Sequence, residues 1–412
     1  MLRSASRGFG GEEDDCRTTP TSVTPDELWK ARYPTDTLDV DHDELLKEVQ
    51  QRYSAGELVE PTLHELGDLN GKKQELISLL RKTHGSENID VSAEKDLSNS
   101  LKKPNGRFHA VIVGINKYDD PRTTSLKGCV NDALLFRDYL LQDLSVPAGQ
   151  ITTLLSPTGD EHLPFPQDIP VPCNAPTREN ILDALYDLYD SPNIKPDDSI
   201  IIFYAGHGQS YRAPDAVDQS PPRSNASVEA LCPADRNTLK SCSDGTEDII
   251  VDISDREINV ILGEIAKKIC GNITLILDCC YARSGIRGLG DKELFPFRYC
   301  PPILSAVSLM FKAADASGRL PSDRPRTADP NFRANMNSHV LIASAKDYEE
   351  ALEYKDRKTG VSQGYFTSRF ISALRSSTST TTYRDVVESP ELVMPFQTAI
   401  VAGRKTARLW FA

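Results

Sequence analysis

From Arg107 onward, short apolar runs alternate with helical stripes. Phe108–Ile115, Ser199–Tyr204 and Ile273–Leu277 are near-continuous apolar runs rich in β-branched residues, the pattern of strands buried on both faces. Shorter strands are expected at 151–155, 339–344 and 407–411. Between them, apolar positions recur at helical spacing over 126–141, 177–189, 255–269 and 365–374. Thr177 is placed to cap one helix, and Ser254 with Glu257 reads as a capping box for another. Buried strands alternating with helices predict an α/β fold: a mostly parallel central sheet of about six strands with helices on both faces.

The first hundred residues have a different texture. A polar head at 1–24 precedes short helical patterns at 25–33, 41–54 and 69–83, and 85–106 reads as a linker. Two long stretches of Pro, Ser, Asp and Arg, 210–249 and 289–337, interrupt the core pattern. The expected organisation is an N-terminal extension (1–106), a large block (107–288), a linker or processing loop (289–337) and a small block (338–412).

Composition narrows the classes. Among 412 residues, 39% are hydrophobic and 26% charged, a globular balance. A net charge of −13 repels phosphate backbones and argues against nucleic-acid binding. No apolar run approaches the ~18 residues of a membrane span, and no export signal is apparent, so a cytoplasmic location is expected. The nine cysteines are odd in number and lack zinc-site spacing, which suggests buried thiols.

In an open α/β sheet, ligands bind beyond the carboxyl ends of the strands. The strand ending at Tyr204 runs into Ala205-Gly206-His207-Gly208, and the strand ending at Leu277 runs into Asp278-Cys279-Cys280. Taken singly, a structural histidine and a filler cysteine are the commoner meanings. Together at strand ends they form the minimum unit of thiol nucleophilic catalysis.

These segments resemble the metacaspases of the caspase-like cysteine peptidase clan. So do Ala110-Val111-Ile112-Val113-Gly114-Ile115-Asn116-Lys117-Tyr118 and Leu126-Lys127-Gly128-Cys129-Val130-Asn131-Asp132-Ala133. The end of the chain, from Gly403 to Phe411, is similar to fungal members. The resemblance implies a caspase-like fold with Cys280 as nucleophile, His207 as base, the N–H groups of Gly208 and Cys280 as oxyanion donors, and Cys279 buried against the sheet. It also implies cleavage after Arg or Lys, with Asp132 and Asp278 at the base of the specificity (S1) pocket, Cys129 lining it, and Ala205 where the family carries a serine. Asp132 could instead be a helix-start carboxylate and Asp278 a turn acceptor.

Other features depart from the family. Tyr281-Ala282-Arg283 stands where His-Ser-Gly is usual, and Arg283 could fill the acidic pocket, assist binding or face solvent. Of the acids that hold calcium in many members, Asp252 and Asp255 remain as weak candidates. Arg256 and Val228 replace expected acids, so no cofactor is expected and calcium dependence is doubtful. Arg319, Arg324, Arg326 and Arg333 in the 289–337 stretch are candidate self-processing sites or part of a solvated linker.

The expected function is a cysteine endopeptidase acting after Arg or Lys through a thioester acyl-enzyme. The alternative is an inactive caspase-fold scaffold or binding protein; aspartate-directed cleavage is a weaker third. Expected partners are protein or peptide substrates with a basic residue at the cut, with no nucleic acid and no membrane. A monomeric zymogen and links to regulated cell death are implied by the resemblance alone.

Overall fold

The computed structural model describes residues 107–406 apart from 160–172, 197, 213–226, 242–244, 270–271, 281–297, 299, 304, 347–348, 350, 357–358, 379 and 395–396. The expectations for 1–106, for the strand at 407–411 and for Tyr281-Ala282-Arg283 lie outside the described residues.

In chain order the strands are β1 (Phe108–Ile115), β2 (Ile151–Ser156), β3 (Cys173–Asn174), β4 (Ser199–Ala205), β5 (Gly208–Arg212), β6 (Ser227–Leu231), β7 (Leu239–Ser241), β8 (Glu247–Ile249), β9 (Ile253–Ser254), β10 (Ile273–Asp278), β11 (Val340–Ala343), β12 (Glu353–Lys355), β13 (Ser362–Gly364) and β14 (Ile400–Ala402). The α-helices are α1 (Cys129–Asp138), α2 (Arg178–Asp190), α3 (Asp255–Ile269), α4 (Ala306–Ala316), α5 (Tyr365–Arg375) and α6 (Tyr383–Val387).

The main sheet has the order β14-β11-β10-β4-β1-β2-β3. Six of its strands are parallel, and β14 pairs antiparallel with β11 at one edge. Successive side chains leave a strand on opposite faces, and the two cores divide accordingly. Val111, Val113, Ile202, Tyr204 and Leu275 pack with Ile181, Leu185, Ile258 and Ile265 of α2 and α3. Ala110, Ile112, Ile201, Phe203 and Ile276 pack with Val130, Phe136, Phe366 and Phe370 of α1 and α5. Phe136 stacks on Phe203 with ring centroids 4.7 Å apart.

The stretches expected to lack periodicity carry structure of their own. β5 pairs with β6, and β6 with β9, in a small antiparallel sheet. Helix α4 lies inside the span expected as a linker. Its Val307, Met310 and Phe311 build a third cluster with Tyr211, Val228 and Val251, so apolar burial folds this stretch. The helix starts also refine the sequence reading. Thr177 caps α2 by accepting the Asn180 N–H at 3.2 Å. Ser254 accepts the Glu257 N–H at 3.1 Å, but the Glu257 carboxylate turns to Arg178 at 2.6 Å. Only half of the expected capping box forms, because a cation competes for the acid.

Candidate active site

Strand register places the chemistry. Ala205 of β4 is paired with Asp278 of β10, so His207 and Cys280 each lie two residues beyond a matched position. Their neighbouring N–H groups converge on one oxygen. The backbone carbonyl of Arg298 accepts from Gly208 N–H at 3.0 Å and from Cys280 N–H at 3.4 Å. These are the two donors expected of an oxyanion site.

The imidazole is held in one orientation. Its Nε2 lies 2.7 Å from the Thr124 carbonyl oxygen. A carbonyl can only accept, so Nε2 carries the proton and Nδ1 the lone pair. Nδ1 is buried with no hydrogen-bond partner among the described residues. The His207 backbone N–H donates to the Tyr118 hydroxyl at 2.7 Å, and Tyr204 donates to the His207 carbonyl at 2.7 Å. Burial holds the ring neutral by lowering its pKa to about 4. Cys280 is fully buried; its sulfur accepts the Ala351 N–H at 2.7 Å and faces the Ala351 carbonyl at 3.4 Å. The sulfur is therefore closed off from solvent in this structure, with the Ala351 backbone against it and the Arg298 carbonyl on the Cys280 N–H.

What closes it also meets the carboxylates expected of the pocket. The Arg298 side chain is fully buried. One guanidinium nitrogen, Nη1, lies 2.8 Å from the Asp278 carboxylate and 2.9 Å from its backbone carbonyl. The other, Nη2, bonds Asp132 and lies 3.3 Å from Glu353. The carboxylates are themselves oriented. Asp132 accepts the Gly364 N–H at 2.9 Å, Asp278 accepts the Thr367 hydroxyl at 2.6 Å, and Glu353 accepts the Lys127 and Gly128 N–H groups at 3.0 Å. Burial raises the Asp132 pKa to about 7 against the opposing pull of the guanidinium. Gly364 backs the pocket: a Cβ there would come within 2.6 Å of Asp278 Oδ2 and 2.8 Å of Arg298 Nη2.

Most residues singled out in the sequence meet here. Asp132 and Asp278 share one guanidinium, and Cys129 lies at the pocket floor with its sulfur 3.3 Å from Glu353. Cys279 is buried in the core on the α2–α3 face. Ala205 is buried in the α1–α5 core at the end of β4. Among the described residues the pocket is filled by Arg298, which takes the place considered for Arg283.

Three of the four expected processing arginines make contacts away from the pocket. Arg319 pairs with Asp183, Asp187 and Asp190. Arg324 is buried and donates to the carbonyls of Ala314, Asp315 and Ser317, and Arg326 donates to Asp315. Arg333 is exposed.

The two calcium candidates part company. Both Asp252 oxygens bind Arg236, at 2.8 and 2.9 Å, and Tyr211 donates to one of them at 2.5 Å. Asp255 instead lines a cavity of about 180 Å³ with Glu229 and His339. No three His, Cys, Asp or Glu side chains among the described residues are grouped to share a metal ion. No helix among them is long and apolar enough to cross a membrane.

Glu353, Arg298, Thr124 and Gly364 were not singled out from the sequence. Arg298 carried a faint signal as a basic residue between Phe297 and Tyr299, 18 positions after Cys280. Glu353 lies on a three-residue strand without a periodic pattern, and Thr124 contributes only a backbone carbonyl.

Residues 109–287 match the family model described as metacaspase, peptidase C14 domain. Metacaspase-3 of Arabidopsis thaliana is 33% identical over 138 residues, 34% of this chain and 33% of the relative. Metacaspase-1A of Aspergillus oryzae is 32% identical over 103 residues, 25% of this chain and 21% of the relative. The chain thus spans about a third or less of the length of these curated relatives, and the expected likeness to fungal members is modest, over a shorter stretch than the likeness to the plant one. A solved protein of Geobacter sulfurreducens aligns over 72% of this chain and 94% of its own, with 18% identity and a TM-score of 0.41.

Proposed function

We propose, on the match of residues 109–287 to the metacaspase peptidase C14 family model, that the chain is a cysteine endopeptidase that cuts after Arg or Lys and that Arg298 occupies its site as a substrate arginine would. One observation carries this reading. The same residue has its guanidinium against Asp132, Asp278 and Glu353 and its carbonyl against the N–H groups of Gly208 and Cys280. Three carboxylates around one guanidinium favour a basic side chain and repel an acidic one. That weighs against aspartate-directed cleavage.

The chemistry follows from the tautomer. His207 Nδ1 takes the Cys280 thiol proton, and the thiolate attacks the carbonyl carbon of the basic residue. Negative charge gathers on the oxygen held by Gly208 and Cys280. The leaving amine takes the proton from Nδ1 as the C–N bond breaks, leaving a thioester. Water, deprotonated by Nδ1, attacks the thioester, and the thiol is restored as the acid product leaves. Thr124 fixes which ring nitrogen performs these transfers. The Arg298–Tyr299 bond is the chain's own first candidate for this sequence, in place of Arg319, Arg324, Arg326 or Arg333.

The test offers the purified protein fluorogenic peptides ending in Arg, Lys or Asp. We expect turnover of the Arg and Lys peptides only. Cys280→Ala should lower it at least ~1000-fold, while Cys279→Ala keeps it and costs about 1 kcal/mol of packing. No turnover of any basic peptide, with or without calcium, would leave the scaffold alternative.

A further inference from the structure

The segment after Arg298 lies in a groove of its own, formed by residues outside the pocket and the reaction centre. The Cys300 carbonyl accepts from the Gln209 side-chain amide. The Pro301 carbonyl accepts from Arg236 Nη2 at 3.0 Å. The Ile303 N–H donates to the Tyr211 hydroxyl at 3.3 Å. Cys300 meets Cys232 sulfur to sulfur at 3.2 Å. Gln209, Tyr211, Cys232 and Arg236 are all buried in this arrangement.

Each groove residue is set before it touches the segment. Gln209 Oε1 accepts the Ser210 N–H at 2.7 Å, which fixes the amide orientation and turns its NH₂ to the segment. Arg236 is clamped by Asp252 and reaches Thr123 at 3.1 Å. Cys232 hangs on the reaction centre itself, its N–H donating to the His207 carbonyl at 3.2 Å.

The segment fits this donor-rich wall. Pro301 and Pro302 have no N–H, so between Cys300 and Ile303 the backbone offers only carbonyls. The proline rings are exposed, while Cys300 and Ile303 are buried. Ile303 packs among Tyr211, Val228, Val307 and Met310. The groove therefore touches backbone at three points and side chains at two. The Cys232 sulfur leaves room for a small side chain, and the third cluster accepts an aliphatic one.

We propose that Gln209, Tyr211, Cys232 and Arg236 form a leaving-side substrate site. It binds peptides that continue at least five residues past the cut, preferring a small side chain at the second position after it and an aliphatic one at the fifth. This rests on the peptidase reading, since Arg298 sets the position of the cut. It assigns recognition to a part of the site that a substrate ending at its basic residue never reaches.

The test uses internally quenched peptides with one arginine and eight residues after it, compared with an arginine joined directly to a fluorophore. The parent peptide carries Ala second and Ile fifth; its partners carry Trp second or Asp fifth. We expect kcat/KM on the parent to exceed each partner by about tenfold, one buried contact's worth. Gln209→Ala should reduce the gain of the parent over the arginine–fluorophore substrate severalfold, and Gln209→Asn should restore part of it. If the arginine–fluorophore is hydrolysed but the three peptides are cut equally well, the leaving-side site is wrong and the peptidase reading stands. If no arginine substrate of any length is hydrolysed, both are wrong.

Discussion

The two ends of the candidate site are buried alike and held differently. At the pocket end, three carboxylates surround one guanidinium, all with side chains almost wholly inaccessible. At the reaction end sit a thiol and a neutral imidazole, held through the backbone of Ala351 and the carbonyl of Thr124. Buried charges depend on their partners, because each loses its hydration. Buried neutral groups tolerate separation far better. The contrast lies in charge: Arg298 is seated by three carboxylates around its side chain, while its carbonyl rests on two neutral backbone bonds.

Removing one acid should expose this contrast most strongly. Asp278→Ala strips a buried guanidinium of the carboxylate that meets its Nη1 at 2.8 Å and should destabilise the described form by about 3–5 kcal/mol. The same change should lower kcat/KM on arginine peptides about 100-fold. Denaturant unfolding and steady-state kinetics check the two effects.

Acid probes the neutral end. His207 has its pKa lowered from 6.5 to about 4 by burial, and so does His339. The unfolded chain therefore binds more protons between these values. The stability each group gives is fully present above pH 6.5 and is lost as pH falls toward 4. Each should account for up to about 3 kcal/mol of that loss. Thermal unfolding across this window should show it, and His207→Gln should flatten part of the slope.

Glu353→Gln gives a finer cut. Its guanidinium contact is the longest of the three, at 3.3 Å. It should cost about tenfold on arginine peptides, less than the loss of Asp278. Smallest of all, Arg319→Ala should change stability by at most about 1 kcal/mol and leave peptide turnover unaltered, because its three acidic partners lie at the surface.

The sheet and the strand-end residues of the candidate site were legible because each rests on a strong local pattern. β1, β4 and β10 are apolar runs that can only be buried, and His207 and Cys280 stand at fixed offsets from two of their ends. Asp132 and Asp278 could be named, but not the guest they hold. Arg298 is brought to them by contacts distant in sequence, and no periodicity marks it. The 289–337 stretch looked structureless because Pro, Ser and Arg dilute the apolar positions of α4, which find partners in residues distant in sequence such as Tyr211, Val228 and Val251. Glu257 shows the same limit at small scale: the motif for a reciprocal cap is present, and Arg178 from another helix takes half of it.

The most direct measurement maps the ends of fragments formed when the purified chain is incubated, by mass spectrometry, beside Cys280→Ala. A substrate-like Arg298 predicts a new N-terminus at Tyr299 in the wild type and an intact Cys280→Ala chain. Fragments that begin after Arg319, Arg324, Arg326 or Arg333 instead, or cleavage that persists without the Cys280 thiol, would contradict it.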